Sequence, residues 1–500
     1  MRPKFHTMAS SLGRIPLAGK YPPAAALALL ALSPFLIVTT ALSLMTPQLV
    51  HDLHATPFGL QLTNILSNAA YAFGTIVTAD LLQRFSARRV YVMSEVGFVV
   101  SSILVLSARE IGLFSAGVIM QGLFTGILLI AAFPPLLSGH GPERFPTTGA
   151  IATVGVLGVG AIGPLVGGTV GSLGGWRPLY GGIAVLAGVG LIIGTLTFES
   201  NEPTAQGARF DWSAIPLAFG ATALPFFGVS WLDRGSFADP QFIVPVVVGL
   251  LLLVLLVVAQ YRRANPLVPV RTFSNTLPVT GTATSMLGGA AFTTLLELTE
   301  VHLLQVSGYS PVRTGALFTP AVLGVAVAAL LFRRSLPTRW TPYLALSGLA
   351  SLLVGGIILL FLSATNGSVI VPIVSVFLGY GAGAGVVPGL FLAGLAVSAA
   401  QLGPALALVE LLRAEGTFLI GPVVLHLAIT RSTFEHGFEI AVVIVLILIL
   451  AGGLFLISVW RLGGVRNEAP DLDAWLEGTA TAYHSPPLGA AVRKMCRIGQ

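Results

Sequence analysis

Fourteen stretches of this 500-residue chain stay apolar for long enough to cross about 30 Å of hydrocarbon, and nothing else in the sequence restricts the fold as tightly. They lie at 24-46, 59-82, 90-107, 112-136, 149-172, 178-198, 212-231, 241-260, 277-304, 314-332, 340-363, 369-397, 404-427 and 440-460. The first is too long for a signal peptide and lacks a small-residue cleavage site, so it reads as a retained helix. Lys+Arg 26 and Asp+Glu 20 make only 9% of the residues, where a water-soluble globule carries about 25%. So few charges cannot clothe a soluble domain, which excludes a cytosolic enzyme, and 55% hydrophobic content excludes disorder.

The net charge of +6 carries a topology signal, not a nucleic-acid face, because no run of five Lys or Arg occurs. Assigned to alternate connections, Arg109, Arg177, Arg234, Arg313 and Arg431 fall on one side. Arg413 lies within a stretch, and the other twenty basic residues share the side of the two termini. The excess of Lys and Arg in cytoplasmic loops then predicts cytoplasmic termini.

Other chemistries lack their residues. The single cysteine, Cys496, forbids an intrachain disulfide and a Cys-based metal site. No Walker sequence, G-x-G-x-x-G after a strand or H-E-x-x-H occurs, and the eight His are scattered, so no ATP drive, dinucleotide or metal catalysis is expected. No cofactor is expected either.

The fifth stretch carries GVLGVGAIGPLVGG, with Gly155, Gly163, Pro164, Gly167 and Gly168 in it. Small residues three and four apart let backbones approach closely, and Pro164 removes an intrahelical hydrogen bond, so a tight, kinked helix is predicted. The pattern G-P-x-x-G-G resembles the antiporter motif of the major facilitator superfamily. Fourteen helices resemble its drug:proton antiporter branch. Further landmarks are Thr39-Thr40, Pro47 and Asp52-Leu53, then Gln121-Gly122, Trp176-Arg177, Asn265-Pro266-Leu267 and Gly308-Tyr309-Ser310-Pro311.

Three positions depart from that pattern. The cytoplasmic clamp after the second helix reads ADLLQRFSARRV, keeping Arg84, Arg88 and Arg89 but placing Gln83 where the Asp belongs; Asp80 stands one turn away as its substitute. Val38 occupies a position that is acidic in many of these antiporters, and Gly117 one that is usually Arg in the fourth helix.

The resemblance implies an all-α integral membrane protein with fourteen transmembrane helices, arranged as two six-helix halves plus two extra central helices. The divisions are a tail 1-22, a half 23-198, a linker with two helices 199-275, a half 276-460 and a tail 461-500. The polar run from Glu199 to Asp211 joins the first half to the rest, and the mixed polar end after Asn467 reads as loosely ordered.

An ionisable group inside the bilayer costs about 2.5–3.5 kcal/mol, so each needs a partner, a wet cavity or a function. Glu410 and Arg413, at i and i+3, can pair on one face, with Glu415 pointing elsewhere. Thr293, Glu297 and Glu300 share a helix face; Glu297 is the site candidate, while Glu300 and His302 read as a solvated helix end. Glu95 stands five residues into the third stretch. Asn64, Asn68, Tyr71 and Thr75 form a polar stripe at helical spacing, which Gln121 could join, and Phe73, Phe124 and Phe133 suggest a mainly apolar cavity with polar anchors.

The expected function is export of small amphipathic molecules from a bacterial inner membrane, driven by inward proton flow. Partners are the small-molecule substrate, protons and membrane lipid, with no nucleic acid, and the resemblance leaves room for an accessory periplasmic export protein. Two alternatives stay open: a proton-independent uniporter or importer on the same scaffold, and a membrane sensor or assembly subunit that transports nothing.

Overall fold

The computed structural model describes residues 16–173, 175–198, 214–263 and 266–489. The run from Glu199 to Asp211, together with Asn265 and Cys496, lies outside the described residues.

The helices are α1 (Tyr21–Asp52), α2 (Pro57–Arg84), α3 (Ala87–Ser107), α4 (Ile111–Ser138), α5 (Pro142–Ser172), α6 (Arg177–Thr197), α7 (Ala214–Asp233), α8 (Pro240–Arg262), α9 (Thr276–Gln305), α10 (Pro311–Ser335), α11 (Thr341–Leu359), α12 (Gly367–Leu395), α13 (Leu402–Ile429) and α14 (Phe434–Leu462). Twelve of them are long and apolar enough to cross a membrane. The other two, α9 with 30 residues and α13 with 28, match them in length but are diluted, α9 by Thr and Gly, α13 by Glu410, Arg413 and Glu415.

Most helices overrun the apolar stretches, because a helix propagates past its first polar residue until something stops or caps it. Thr56, Ser86, Ser310 and Thr433 supply N-cap oxygens to α2, α3, α10 and α14, and Pro follows the cap of α2 and α10 at the first helical position. Gly308, at φ +65, turns the chain left-handed before Ser310, a conformation that favours glycine.

The packing repeats along the chain. Helix α1 packs on α4, α5 and α6, α2 on α4, and α3 on α4 and α6; eight helices later, α9 packs on α12, α13 and α14, α10 on α12, and α11 on α12 and α14. Two seams join these sets, α2 with α13 and α5 with α10. Helix α7 covers the α2/α13 seam, where Phe226 and Val229 pack with Ile65 and Ala69 of α2. Helix α8 pairs with α7 at the periphery and leaves Leu251 and Val254 exposed.

Glycines set the closest approaches. Gly163 abuts the Thr40 side chain and Gly167 the Ala41 backbone, so α5 lies against α1. Across the seam a Cβ on Gly168 would stand 3.0 Å from Val312 Cα, and one on Gly315 would stand 3.0 Å from Leu165 Cα. Pro164 lies inside the helix as expected, but the backbone irregularity falls before it, in a π turn at Val154–Gly158.

The expectation of a loosely ordered end after Asn467 is overturned as far as Gly489. The short helix α15 (Leu472–Leu476) buries Trp475 completely, and its indole N–H donates to the Val397 carbonyl at 2.7 Å. Downstream, Ala482 N donates to Leu395 O at 3.0 Å, Thr276 N to Pro486 O at 2.9 Å and Leu488 N to Ser274 O at 2.9 Å. Average polarity misled because Leu472, Trp475, Ala482 and Tyr483 are spaced to reach one surface together.

Candidate functional site

The α2/α13 seam holds a buried polar cluster. Tyr71, halfway along α2, is fixed from behind by Gly126 of α4, which lies against its backbone carbonyl. Its hydroxyl donates to Glu410 Oε2 at 2.7 Å. Arg413, one turn beyond Glu410, donates through Nε to the same oxygen at 2.9 Å and through Nη2 to the Tyr71 hydroxyl at 3.2 Å. Below them the Thr75 hydroxyl donates to Ala407 O at 3.2 Å. One side of the seam thus engages, through a single phenol, an ion pair carried by the other.

Two cavities flank this cluster. The one toward the termini has apolar walls that include Leu32, Leu129, Phe133 and Phe391, with Glu410 and Arg413 among its lining residues. Gly155 also lines it, beside Leu29 of α1. Phe133, Phe391 and Phe332 form an edge-to-face chain, with ring centroids 6.1 and 5.1 Å apart, from α4 through α12 to α10. The far-side cavity is lined by Gln61, Asn64, Asn68, Thr293, Glu297 and Thr417, among others. Its lining includes Glu297 but neither Lys nor Arg, whereas Glu410 and Arg413 pair with each other beside the terminal-side cavity.

The far-side cavity has its own links between helices. Ser43 of α1 donates to Glu300 Oε2 of α9 at 2.9 Å. In the α7–α8 connection, Arg234 stacks over Phe58 of α2 at 3.6 Å and Phe237 meets His426 of α13 edge-on at 4.9 Å. Nearby, Asp239 accepts from Ser236 N and the Trp231 indole, which hold its carboxyl below its usual range.

Glu410, Arg413 and Tyr71 therefore meet at the seam, and Asn64, Asn68 and Glu297 line the far-side cavity beside it. Other candidates are not. Glu95 faces Gly190 of α6, and Gln121 donates to Ser102 of α3 at 2.9 Å instead of joining the stripe on α2. Glu415 is buried apart from the ion pair, with no protein hydrogen bond to either carboxylate oxygen among the described residues. Glu300 and His302 do not form a solvated end; both are buried, because α9 runs on to Gln305 and His302 packs 4.8 Å from Phe438. Of the three phenylalanines, Phe133 lines one of these two cavities, whereas Phe73 meets Phe219 of α7 and Phe124 fills the space beside Gly97.

Among the clamp residues, Asp80 takes Arg84 in a two-pronged pair at 2.7 and 2.8 Å, from one turn away. Arg88 donates to Thr195 O at 3.3 Å, at the end of α6, and Arg89 lies over the Phe85 ring at 5.9 Å. Two landmarks also meet, as the Trp176 indole donates to Asp52 at 3.1 Å. Val38 is buried in the core, and Gly117 sits against Val105 of α3. Ser43 and Thr46 escaped notice, although Thr39, Ser43 and Thr46 stand at i, i+4 and i+7 and both escaped residues line the far-side cavity.

Comparison with known proteins places this geometry. The chain is 29% identical over 277 residues to the multidrug resistance protein B homolog of Mycobacterium tuberculosis (strain CDC 1551 / Oshkosh), an alignment covering 55% of this chain and 49% of that protein, so it spans about half the length of that relative. It is 26% identical over 462 residues to the puromycin resistance protein of Streptomyces alboniger, covering 86% and 89%. Among solved structures, the human organic anion transporter MFSD10 superposes with a TM-score of 0.62 at 14% identity, covering 87% of this chain and 99% of that one. A POT family transporter in complex with a thioalcohol-conjugated peptide superposes at 0.60 with 14% identity, covering 86% and 95%; at such identity these likenesses speak for the fold. The family model described as Major Facilitator Superfamily matches residues 27–419, and with that the chain belongs to this superfamily as a multi-pass membrane protein.

Proposed function

We propose that this protein exports small amphipathic molecules by alternating access, driven by inward proton movement. The observation that carries the proposal is the Tyr71–Glu410–Arg413 cluster, which lies at a seam between two helix sets with a cavity on either side. A substrate entering the terminal-side cavity meets apolar walls and one ion pair, which suits a molecule with an apolar body and a single polar end. Rocking of one helix set against the other about the seams would transfer it to the polar far-side cavity.

In this reading α9 and α13 also cross the membrane, bringing the spans to fourteen, and residues 23-198 and 276-460 are the two halves of a pseudo-two-fold repeat. The repeated contact set supports that division. The charge asymmetry of the loops supports cytoplasmic termini in a bacterial inner membrane. The relatives named for multidrug and puromycin resistance support outward transport, and an accessory periplasmic protein would extend the route. One proton charge crossing 100 mV supplies about 2.3 kcal/mol, and in this reading Glu410 and Glu297 carry the proton.

The buried Val38 favours a second reading, proton-independent uniport, because that position is acidic in many antiporters of the branch. The test is the full chain in vesicles, with and without a pH gradient, against a panel including puromycin and lipophilic dyes. Uphill accumulation that collapses with the gradient is the expected outcome. A transport rate indifferent to the gradient selects uniport and overturns proton coupling.

A further inference from the structure

The segment after α14 has no place in the transport pathway, yet it is anchored better than a tail needs to be. Among the described residues, the hydrogen bonds it makes to the helices all run to one set. Trp475 donates to Val397 O just beyond α12, Ala482 N to Leu395 O at the end of α12, Leu488 N to Ser274 O just before α9, and Leu277 N of α9 to Ser485 Oγ. Asn275 and Pro487 add an antiparallel bridge, and Asn467 donates to the Tyr343 hydroxyl of α11 at 3.1 Å.

Toward the other set the segment offers something different. The Trp475 ring meets Phe145, at the start of α5, edge-on with centroids 5.6 Å apart, and both side chains are almost fully buried. This contact is apolar and carries no hydrogen bond, so it can separate and reform without leaving a buried donor unpaired. The indole N–H stays with Val397 whichever state the rings are in.

We infer that residues 471–488 form a strap fixed to the second helix set, and that Trp475 on Phe145 is its releasable latch, holding the terminal-side entrance shut while the far side is accessible. A tail that only added stability would have no reason to confine its polar bonds to one side of the seam and present a bare aromatic edge to the other. The inference rests on the alternating-access reading, since a latch needs two sides that part.

The test uses the full chain with Cys496→Ser, which removes the native thiol, and Leu406→Cys as a reporter in the terminal-side cavity, labelled by a membrane-impermeant maleimide from that side. Phe145→Ala removes only the first helix set's partner in the latch. It should raise the labelling rate at least several-fold, and removal of residues 467–500 should raise it to a similar extent. A second variant, Phe145→Cys with Trp475→Cys joined by a cleavable thiol cross-linker, should stop transport when joined and recover it on cleavage, which excludes misfolding as the cause. Unchanged labelling in both the Phe145→Ala and the truncated protein, or full transport by the joined protein, overturns the latch. If the reporter labels readily from both sides at once, alternating access itself fails, a result separable from failure of the strap.

Discussion

Helices α5 and α13 hold equivalent places, eight helices apart, yet they solve the problem of meeting the opposite set in opposite ways. Helix α5 has no charge along Val159–Ser172 and meets α10 through glycines, with Gly168 against Pro311 and Gly315 against Pro164. Helix α13 meets α2 through an ion pair, a phenol and a threonine hydroxyl. The first seam depends on the near absence of side chains, so its cost of disruption is steric and immediate. The second depends on polar groups that are satisfied only while both helices are in place, so its state can respond to a proton or a substrate. In the proposed transport cycle the first seam is a bearing and the second a sensor.

The largest effect should come from spoiling the bearing. Gly168→Leu places a branched side chain where a Cβ alone would stand 3.0 Å from Val312 Cα, and Gly315→Leu does the same from α10, 3.0 Å from Leu165 Cα. Both should reduce transport to background in vesicles while the protein still inserts, because packing in a membrane relies on close backbone approach. Transport near wild type by both would mean that the α5 seam does not move as a unit.

Arg413→Ala strikes the other seam. It leaves Glu410 buried with only the Tyr71 hydroxyl, and removal of one member of a buried pair costs about 3–5 kcal/mol. Lower purified yield and at least tenfold slower transport are expected, measured by detergent extraction and flux. Glu410→Gln should be milder, since it keeps volume and hydrogen bonding but cannot titrate. Downhill exchange should persist while accumulation driven by a pH gradient is lost. Glu297→Gln, made in parallel, asks whether the far-side carboxylate shares that role; full coupling in both variants would remove the proton from this pathway.

The contrast between the seams also separates what could be read from the sequence. Apolar length and glycine spacing are local properties, so the helices and the tight α5 motif were legible, as was the i, i+3 pairing of Glu410 with Arg413. Partners across the bundle were not. Tyr71 and Glu410 are 339 residues apart, and nothing in the stripe on α2 says which residues face the cavity and which face α13. Gln121 was misplaced because a polar residue on an apolar helix looks the same whether it faces a cavity or Ser102. The docked end of the chain was misread because a few well-spaced apolar residues do not alter the average polarity of a tail.

The smallest effect is the most specific. Tyr71→Phe keeps the ring, and with it the stacking on Phe35 at 5.9 Å between centroids, but removes the one hydroxyl through which α2 engages the ion pair. Arg413 still holds Glu410, so no charge is stranded, and the loss is that of the hydroxyl's hydrogen bonds to Glu410 and from Arg413, the shorter of them worth about 1.5–3 kcal/mol. If that bond is present only when the seam is closed as here, its loss shifts the balance between the two states and leaves the chemistry of Glu410 intact. Transport should then change by roughly tenfold or more, while dependence on the pH gradient stays. A Tyr71→Phe protein that loses gradient dependence altogether would show that the phenol belongs to the proton route itself, and the line between bearing and sensor would have to be redrawn to include α2.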